Sequence, residues 1–506
     1  MSTERQTKFG LSRSLEMLNA IPGGSKVIGT VVIMSAAVNV LLLSGSIFML
    51  MVYDEVLPAH SVPSLVGLVV MLVIAFAFQT AFEHLRQRIA QASAEIFNQN
   101  LTNRVFALVI QTELTRGGRD AAQPVRDLDL LRTFFASQGP IAILDLPWML
   151  LFLAVLFVFH WLLGVACLIG ALLLVGLTML TDRLTAAQVE AATVNSSQRS
   201  TFIEACRRNA EVIGALGMRG QIQDRWRKMS DQHAEINDEA GDKLSAMRTF
   251  SKSFRLLLQS LILAAGAWLV ISGSATGGVI IASSILSSRA LAPIDSAIGN
   301  WRGLIVARQA WNRLAERLLQ MPVASNKTAL PRPSNNLAVD GLSAVAPGTQ
   351  ILLFRDISFQ LKAGDTLAIV GASGSGKSSL SRALVGLLEP IRGAVRLDGA
   401  SIDQWEPDLA GAFIGYLPQD IELFDGTIAQ NIARFDVIAT SQEIVAAARQ
   451  AGVHDLIVHL PNGYDTVIGP LICPLLSGPI SILELATKEE WNGEEAQAGR
   501  DHRQAA

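Results

Sequence analysis

Apolar residues gather in six long runs before residue 300, and after it the chain turns to shorter, mixed blocks. The runs are Val27–Val52, Ser64–Phe82, Ile141–Phe159, Leu162–Thr181, Leu256–Ile271 and Gly277–Ile294. A helix that crosses a bilayer needs about 20 mostly apolar residues, because in lipid it must satisfy its backbone from within its own segment. The pattern therefore predicts six membrane helices. The sixth is the weakest, since it carries several serines and Arg289. A buried soluble helix pair is the alternative for the last two. The short polar turn Ser272–Thr276 between them favours an extramembrane hairpin instead. Arg289 has two readings of its own: an intramembrane arginine is a functional candidate by default, and a long side chain near a helix end can simply snorkel to the cytoplasmic interface.

The polar stretches between the runs set an orientation. Tyr53–Pro63 carries Asp54 and Glu55 without Lys or Arg, and the turns His160–Trp161 and Ser272–Thr276 also lack them. By contrast, Glu83–Gly139 holds Arg86, Arg88, Arg104, Arg116, Arg119, Arg126 and Arg132, and Asp182–Lys252 is similarly basic. The positive-inside rule places both long stretches and both termini in the cytoplasm. Good helix formers and few prolines make these stretches mainly helical, as extensions of membrane helices toward a cytoplasmic motor. Residues 1–26 form a polar N-terminal tail. The first apolar run lacks a small-residue cleavage site and exceeds the roughly 7–15 residues of a signal-peptide core, so it is read as retained.

Composition agrees. Of 506 residues, 50% are hydrophobic and 17% charged, with a mean hydropathy of +0.37. Soluble domains usually reach about 25% charged. The net charge of −3 points away from nucleic acid as a partner. Cys167, Cys206 and Cys473 are too scattered for a metal cluster or a disulfide framework.

Around residues 321–342 the chain becomes polar and proline-bearing, which reads as a linker. Strand-like blocks follow at Ile351–Phe354, Ile357–Leu361 and Thr366–Val370. The last runs directly into Gly371-Ala-Ser373-Gly374-Ser375-Gly376-Lys377-Ser378-Ser379, followed by a helical pattern to Leu388. This is a G-x-x-x-x-G-K-S loop between a predicted strand and a predicted helix. Its glycines let several backbone N–H groups converge on phosphate oxygens, and the helix N-terminus favours the anion. Lys377 should reach the β- and γ-phosphates of ATP, and Ser378 should hold Mg²⁺. Further on, Gln419 closes a short strand-like block, Ile414-Gly-Tyr-Leu-Pro-Gln419. It is a candidate to supply a side-chain carbonyl to Mg²⁺ or to orient water.

At this point the chain resembles the ATP-binding cassette exporters, and among them the type I protein-secretion permease/ATPases of the protease- and lipase-exporting branch. The likeness rests on Val395–Trp405, Gly415–Phe435 and Ala451–Gly469. On the membrane side it rests on VYDEVLP (Val52–Pro58), DLPW (Asp145–Trp148) and SSRALAPID (Ser287–Asp295). The resemblance implies an all-α six-helix transmembrane domain over 27–320, followed by an α/β P-loop nucleotide-binding domain over 343–469. It also implies a homodimer in the bacterial inner membrane in contact with lipid, a periplasmic adaptor, an outer-membrane channel and an unfolded protein substrate. The short N-terminal tail speaks against an N-terminal peptidase domain.

One departure matters. After Gly469 such cassettes continue into Leu-Ser-Gly-Gly-Gln, then a strand ending in Asp-Glu, then a switch histidine. Here Leu476-Ser477-Gly478 is broken by Pro479, Glu484 has no Asp before it, and His502 lies in an unrelated hydrophilic stretch. Residues 470–506 are thus read as an aberrant, disordered tail such as a frameshift would leave, on a truncated cassette. Phosphoryl transfer needs a water-positioning group and a second metal-holding carboxylate, so the chain is expected to bind nucleotide without hydrolysing it. The alternatives are a non-hydrolysing nucleotide-binding membrane protein or pseudogene product, and a lipid or drug exporter on the same scaffold.

Overall fold

The computed structural model describes residues 24–116, 122–320, 330–347, 349–418 and 423–468. The chain divides into two compact units at Pro322. The first is helical: α1 (Gly24–Met51), α2 (Val62–Arg116), α3 (Gln123–Ala136), α4 (Gln138–Asp145), α5 (Met149–Phe159), α6 (Trp161–Arg208), α7 (Ala210–Ala215), α8 (Arg219–Ile271), α9 (Gly277–Gly299) and α10 (Trp301–Gln320). Among the described residues five stretches are long and apolar enough to cross a membrane: Lys26–Ala59, Val62–Leu114, Gln138–Phe159, Arg219–Ile271 and Gly277–Gly299. The sixth expected crossing lies in α6, whose apolar part, Trp161–Leu177, is shorter.

Three helices far exceed a bilayer. α2 has 55 residues, α6 has 48 and α8 has 53. At 1.5 Å per residue, 55 residues span about 80 Å, against about 30 Å of hydrocarbon. Much of each basic stretch therefore lies in helices continuous with membrane segments: α2 to Arg116, α6 to Arg208 and α8 from Arg219.

The membrane core joins α5, α6, α8 and α9 through Phe152, Leu156, Leu163, Ile262, Leu286 and Leu291. Lipid tails are as apolar as leucine, so close packing rather than removal from water holds this cluster. Polar contacts fix the rest. Arg86 on α2 is buried and donates to both Asp145 oxygens at 2.9 and 3.0 Å, and to Ser35 Oγ on α1 at 2.9 Å. At the opposite end of α1, the Asp54 carboxylate accepts from Thr276 Oγ1 and from the Gly278 N–H at 2.7 Å, which caps the start of α9. A Cβ on Gly278 would sit 2.7 Å from that carboxylate, so glycine is required there.

A second core lies in the helical extensions, where Phe97, Leu101, Leu128, Leu131, Ala310 and Leu314 pack from α2, α3 and α10. Phe97 stacks on Trp311 at 6.2 Å and meets Phe135 edge-on at 5.2 Å. Beside it, Asp127 is fully buried. It accepts two bonds from Arg313, at 2.6 and 3.2 Å, and one from Gln123 at 3.0 Å.

The second unit carries an antiparallel sheet of order β2-β1-β3-β4, formed by β1 (Asn336–Val345), β2 (Leu352–Lys362), β3 (Arg392–Leu397) and β4 (Ala400–Ser401). Val339 on the central strand pairs with Phe359 on one side and Val395 on the other. Helix α11 (Lys377–Leu384) buries Leu380 and Ala383 against Val339, Leu342, Ala344 and Val395. The exposed Asp398 carboxylate accepts backbone N–H groups of Ser334, Asn335 and Asn336 at 2.6, 3.0 and 2.7 Å. Those bonds, Ser334 first, hold its pKa below the usual carboxylate range and pin the chain where it enters β1. After α12 (Pro407–Phe413), a smaller cluster joins the β5 (Gly426–Thr427) and β6 (Val467–Ile468) pair to α13 (Ile428–Ile432), α14 (Ser441–Gln450) and α15 (His454–Val458).

Three details differ from the sequence reading. β1 begins at Asn336, inside the stretch assigned to the linker, because Leu337 and Val339 face the sheet core there. The two blocks Ile351–Phe354 and Ile357–Leu361 merge into β2. Thr366–Val370 and Ile414–Pro418 form no ladder among the described residues. Their apolar side chains are left at the surface instead, with Val370 91% and Leu367 43% exposed. A segment of this composition needs a strand on each side to become a central parallel strand, and the described residues supply none.

The Asp127–Arg313 pair gives an asymmetric expectation. Arg313→Ala strands a buried carboxylate and should cost about 3–5 kcal/mol. Asp127→Ala leaves an arginine whose side chain is already 32% exposed and can turn to water, so it should cost less. Thermal melting of the detergent-purified chain measures both, and equal losses would contradict this account.

Candidate nucleotide-binding site

The loop Gly371–Gly376 leaves the unpaired segment, turns back through a Ser375 N–H to Ala372 carbonyl bond of 3.2 Å, and enters α11. Gly374 and Gly376 hold φ of 79° and 91°, a region that side chains disfavour. Gly376 is further constrained by space, since a Cβ would lie 2.9 Å from the Leu353 carbonyl of β2. The sheet thus presses on the loop from behind while α11 fixes its end.

Gly376 is also the N-cap of α11 and provides no side-chain bond to the helix. The first N–H groups of α11 are therefore free of a cap and face the loop, as an anion site requires. Lys377 Nζ donates to the carbonyls of Gly371 and Ala372 at 2.7 and 2.8 Å. The ammonium is thus held across the loop, where a phosphate oxygen would compete for it. Residues 371–375 and Ser378 are exposed, and Lys377 and Ser379 are half-buried.

Gly371, Ser373, Gly374, Ser375, Gly376, Lys377, Ser378 and Ser379 are thus brought together in one turn and one helix start. Uncapped N–H groups, left-handed glycines and a tethered ammonium fit the triphosphate of a nucleotide. Ser378 presents its hydroxyl at the surface, where it could serve Mg²⁺. Gln419, the other expected metal ligand, lies outside the described residues, as do Cys473, Leu476–Gly478, Glu484 and His502. Among the described residues no group of three or more His, Cys, Asp or Glu side chains is placed to hold a metal. The backing contact from Leu353 and the seat of Leu380 and Ala383 were not legible in the motif. The apolar i, i+3 spacing of Leu380 and Ala383 is the signal that marks that seat.

The ABC transporter transmembrane region profile matches residues 28–293, and the ABC transporter profile matches residues 354–468. This chain belongs to the ABC transporter family. It is 47% identical over 436 residues to the type I secretion system ATP-binding protein PrsD of Rhizobium meliloti (strain 1021), covering 86% of this chain and 75% of PrsD. It is 25% identical to the exotoxin translocation ATP-binding protein PaxB of Pasteurella aerogenes over 88% of this chain, but spans only 63% of PaxB. A solved bacterial Atm1-family ABC exporter with ATP bound superimposes with a TM-score of 0.78 over 92% of this chain and 83% of that chain, at 19% identity. That likeness shows the fold: a multi-pass helical transmembrane domain and a partial nucleotide-binding domain in one chain. The cassette match stops at residue 468, and the sequence from 469 onward lies outside it.

Gly376→Ala should abolish nucleotide binding, because the added methyl meets both a disfavoured φ and the Leu353 carbonyl. Titration with a fluorescent ATP analogue measures this, and wild-type affinity in the variant would contradict the geometry.

Proposed function

We propose that this chain is the ATP-binding permease subunit of a type I protein secretion system. It works as a homodimer in the bacterial inner membrane, with both termini in the cytoplasm. It hands unfolded proteins to a periplasmic adaptor and an outer-membrane channel. The observation that carries the secretion reading is the 47% identity to PrsD across both the membrane and cassette parts. The homodimer is supported by α2, whose apolar window has 0% of its residues buried within one protomer. Part of so broad an apolar face suits a second copy, and the rest suits lipid.

In this reading the cassette binds ATP with Mg²⁺ through the Gly371–Ser379 loop, Ser378 and Gln419, yet does not turn it over. Hydrolysis needs a carboxylate to hold the metal and a group to position water. Between residues 469 and 506 the sequence offers Leu476-Ser477-Gly478 interrupted by Pro479, and a Glu484 with no Asp before it. The unpaired Thr366–Val370 segment supports the same view, since the strands that would flank it in a catalytic α/β sheet are absent from the described residues.

A chimera tests both halves. Replacing everything after Ile468 with the corresponding part of PrsD should restore ATP turnover and export of a reporter bearing an uncleaved C-terminal signal. The original chain should release phosphate no faster than its Lys377→Ala variant. A chimera that hydrolyses ATP in the membrane but exports nothing sinks the secretion reading. Turnover by the original chain sinks the claim that it is catalytically silent.

A further inference from the structure

Helix α9 is the most enclosed of the membrane helices, with 61% of its apolar window buried. Between Ile281 and Ser296, apart from the ion-paired Asp295, its uncovered residues form a stripe: Ile281, Ile285, Ser288, Arg289, Ala292 and Ser296 are half-buried or exposed, while Ala282, Leu286, Ala290 and Leu291 are buried. These spacings of three, four and seven place the uncovered residues on one helical face. The uncovered faces elsewhere in the membrane are mainly apolar, as with Val66, Val73 and Phe78 on α2 or Leu257 and Leu261 on α8, with isolated hydroxyls such as Thr80 and Ser260 bonded back to their own helix. The stripe of α9 differs, because it presents a guanidinium beside its hydroxyls.

Arg289 lies about 18 Å along the helix from Gly277, well inside a hydrocarbon core of about 30 Å. It is exposed and has no partner among the described residues. Asp295, the nearest carboxylate along the helix, is taken by Arg255 at 2.8 Å and by Ser251 Oγ at 3.1 Å. At the inner end of the stripe a second guanidinium approaches: an added Cβ on Gly299 would lie 4.0 Å from an Arg248 nitrogen. An unpaired arginine facing lipid at this depth is costly. Ser288 and Ser296 beside it, and Arg248 beyond them, make the whole stripe hydrophilic toward the cytoplasmic side.

We propose that this stripe lines a water-filled passage and that Arg289, with Arg248 below it, binds acidic segments of polypeptide there. The proposal rests on the transporter reading and names the charge of what that passage accepts. Arg289 acts as a specificity residue: its charge attracts carboxylates in a low-dielectric cleft and disfavours lysine- or arginine-rich segments.

Cysteine accessibility in the full-length chain provides the test, with Cys167, Cys206 and Cys473 each replaced by alanine. Cysteines are placed singly at Ser288, Ala292 and Ser296, with Val66→Cys and Leu261→Cys as lipid-facing controls. Charged, membrane-impermeant methanethiosulfonate reagents should modify the stripe and spare the controls. An anionic reagent should react about tenfold faster than a cationic one, and Arg289→Gln should abolish that preference. A soluble aspartate-rich peptide should protect the stripe where a lysine-rich peptide does not. Stripe cysteines as inert as the controls would overturn the proposal in favour of a snorkelling Arg289. Disulfides forming between two copies, without reagent access, would overturn it in favour of a protomer interface. Equal rates for both reagents, or equal protection by both peptides, would overturn the charge assignment. These readouts need no ATP turnover, so the chimera can fail to export while the labelling pattern holds, and the reverse.

Discussion

The seat of α11 on the antiparallel sheet holds the phosphate loop in place. In the usual arrangement a P-loop hangs from a strand locked into a parallel sheet, but here Thr366–Val370 has no ladder among the described residues. The loop keeps its shape from the other side. Leu380 and Ala383 sink into the core beside Val339, Leu342 and Val395, and Gly376 lies against the Leu353 carbonyl. Two buried side chains and one steric contact therefore position the uncapped helix start and the Lys377 ammonium. The shape of the loop thus depends on the antiparallel sheet and α11.

The membrane unit is governed by a different constraint. Backbone groups in lipid must be satisfied within the helix, and α2, α6 and α8 each run without interruption well beyond the length of a crossing. Polar side chains then fix how the helices meet. Arg86 with Asp145 and Ser35 ties α1, α2 and the start of the third crossing, and Asp54, just past the end of α1, ties that end to α9. The Arg86–Asp145 tie pairs its charges where solvent is scarce, which makes it costly to break. Against that background the unpaired, exposed Arg289 stands out within the same unit.

Much of this was legible in the sequence. Runs of about 20 apolar residues can do little else than cross a membrane, and the helices at Val62–Arg116 and Arg219–Ile271 extend just where the basic stretches indicated. The eight loop residues from Gly371 to Ser379 chosen from their motif do converge, because glycine spacing and a following helix encode that turn locally. Long-range pairings were not legible. Arg86 was one arginine among seven in its stretch, and nothing local marked Asp145 as its partner. The strand at Thr366–Val370 failed for the converse reason: its composition is right, but a strand is defined by its neighbours, and apolar pattern carries no information about whether they are there.

The seat of α11 on the antiparallel sheet should let the Gly371–Ser379 loop hold nucleotide. Equilibrium dialysis of the purified chain against labelled Mg-ATP, followed by analysis of the bound nucleotide, tests it most directly. Saturable binding approaching about one nucleotide per chain is expected, lost in Lys377→Ala and recovered as intact ATP. Absence of saturable binding, or recovery of the label as ADP, would contradict it.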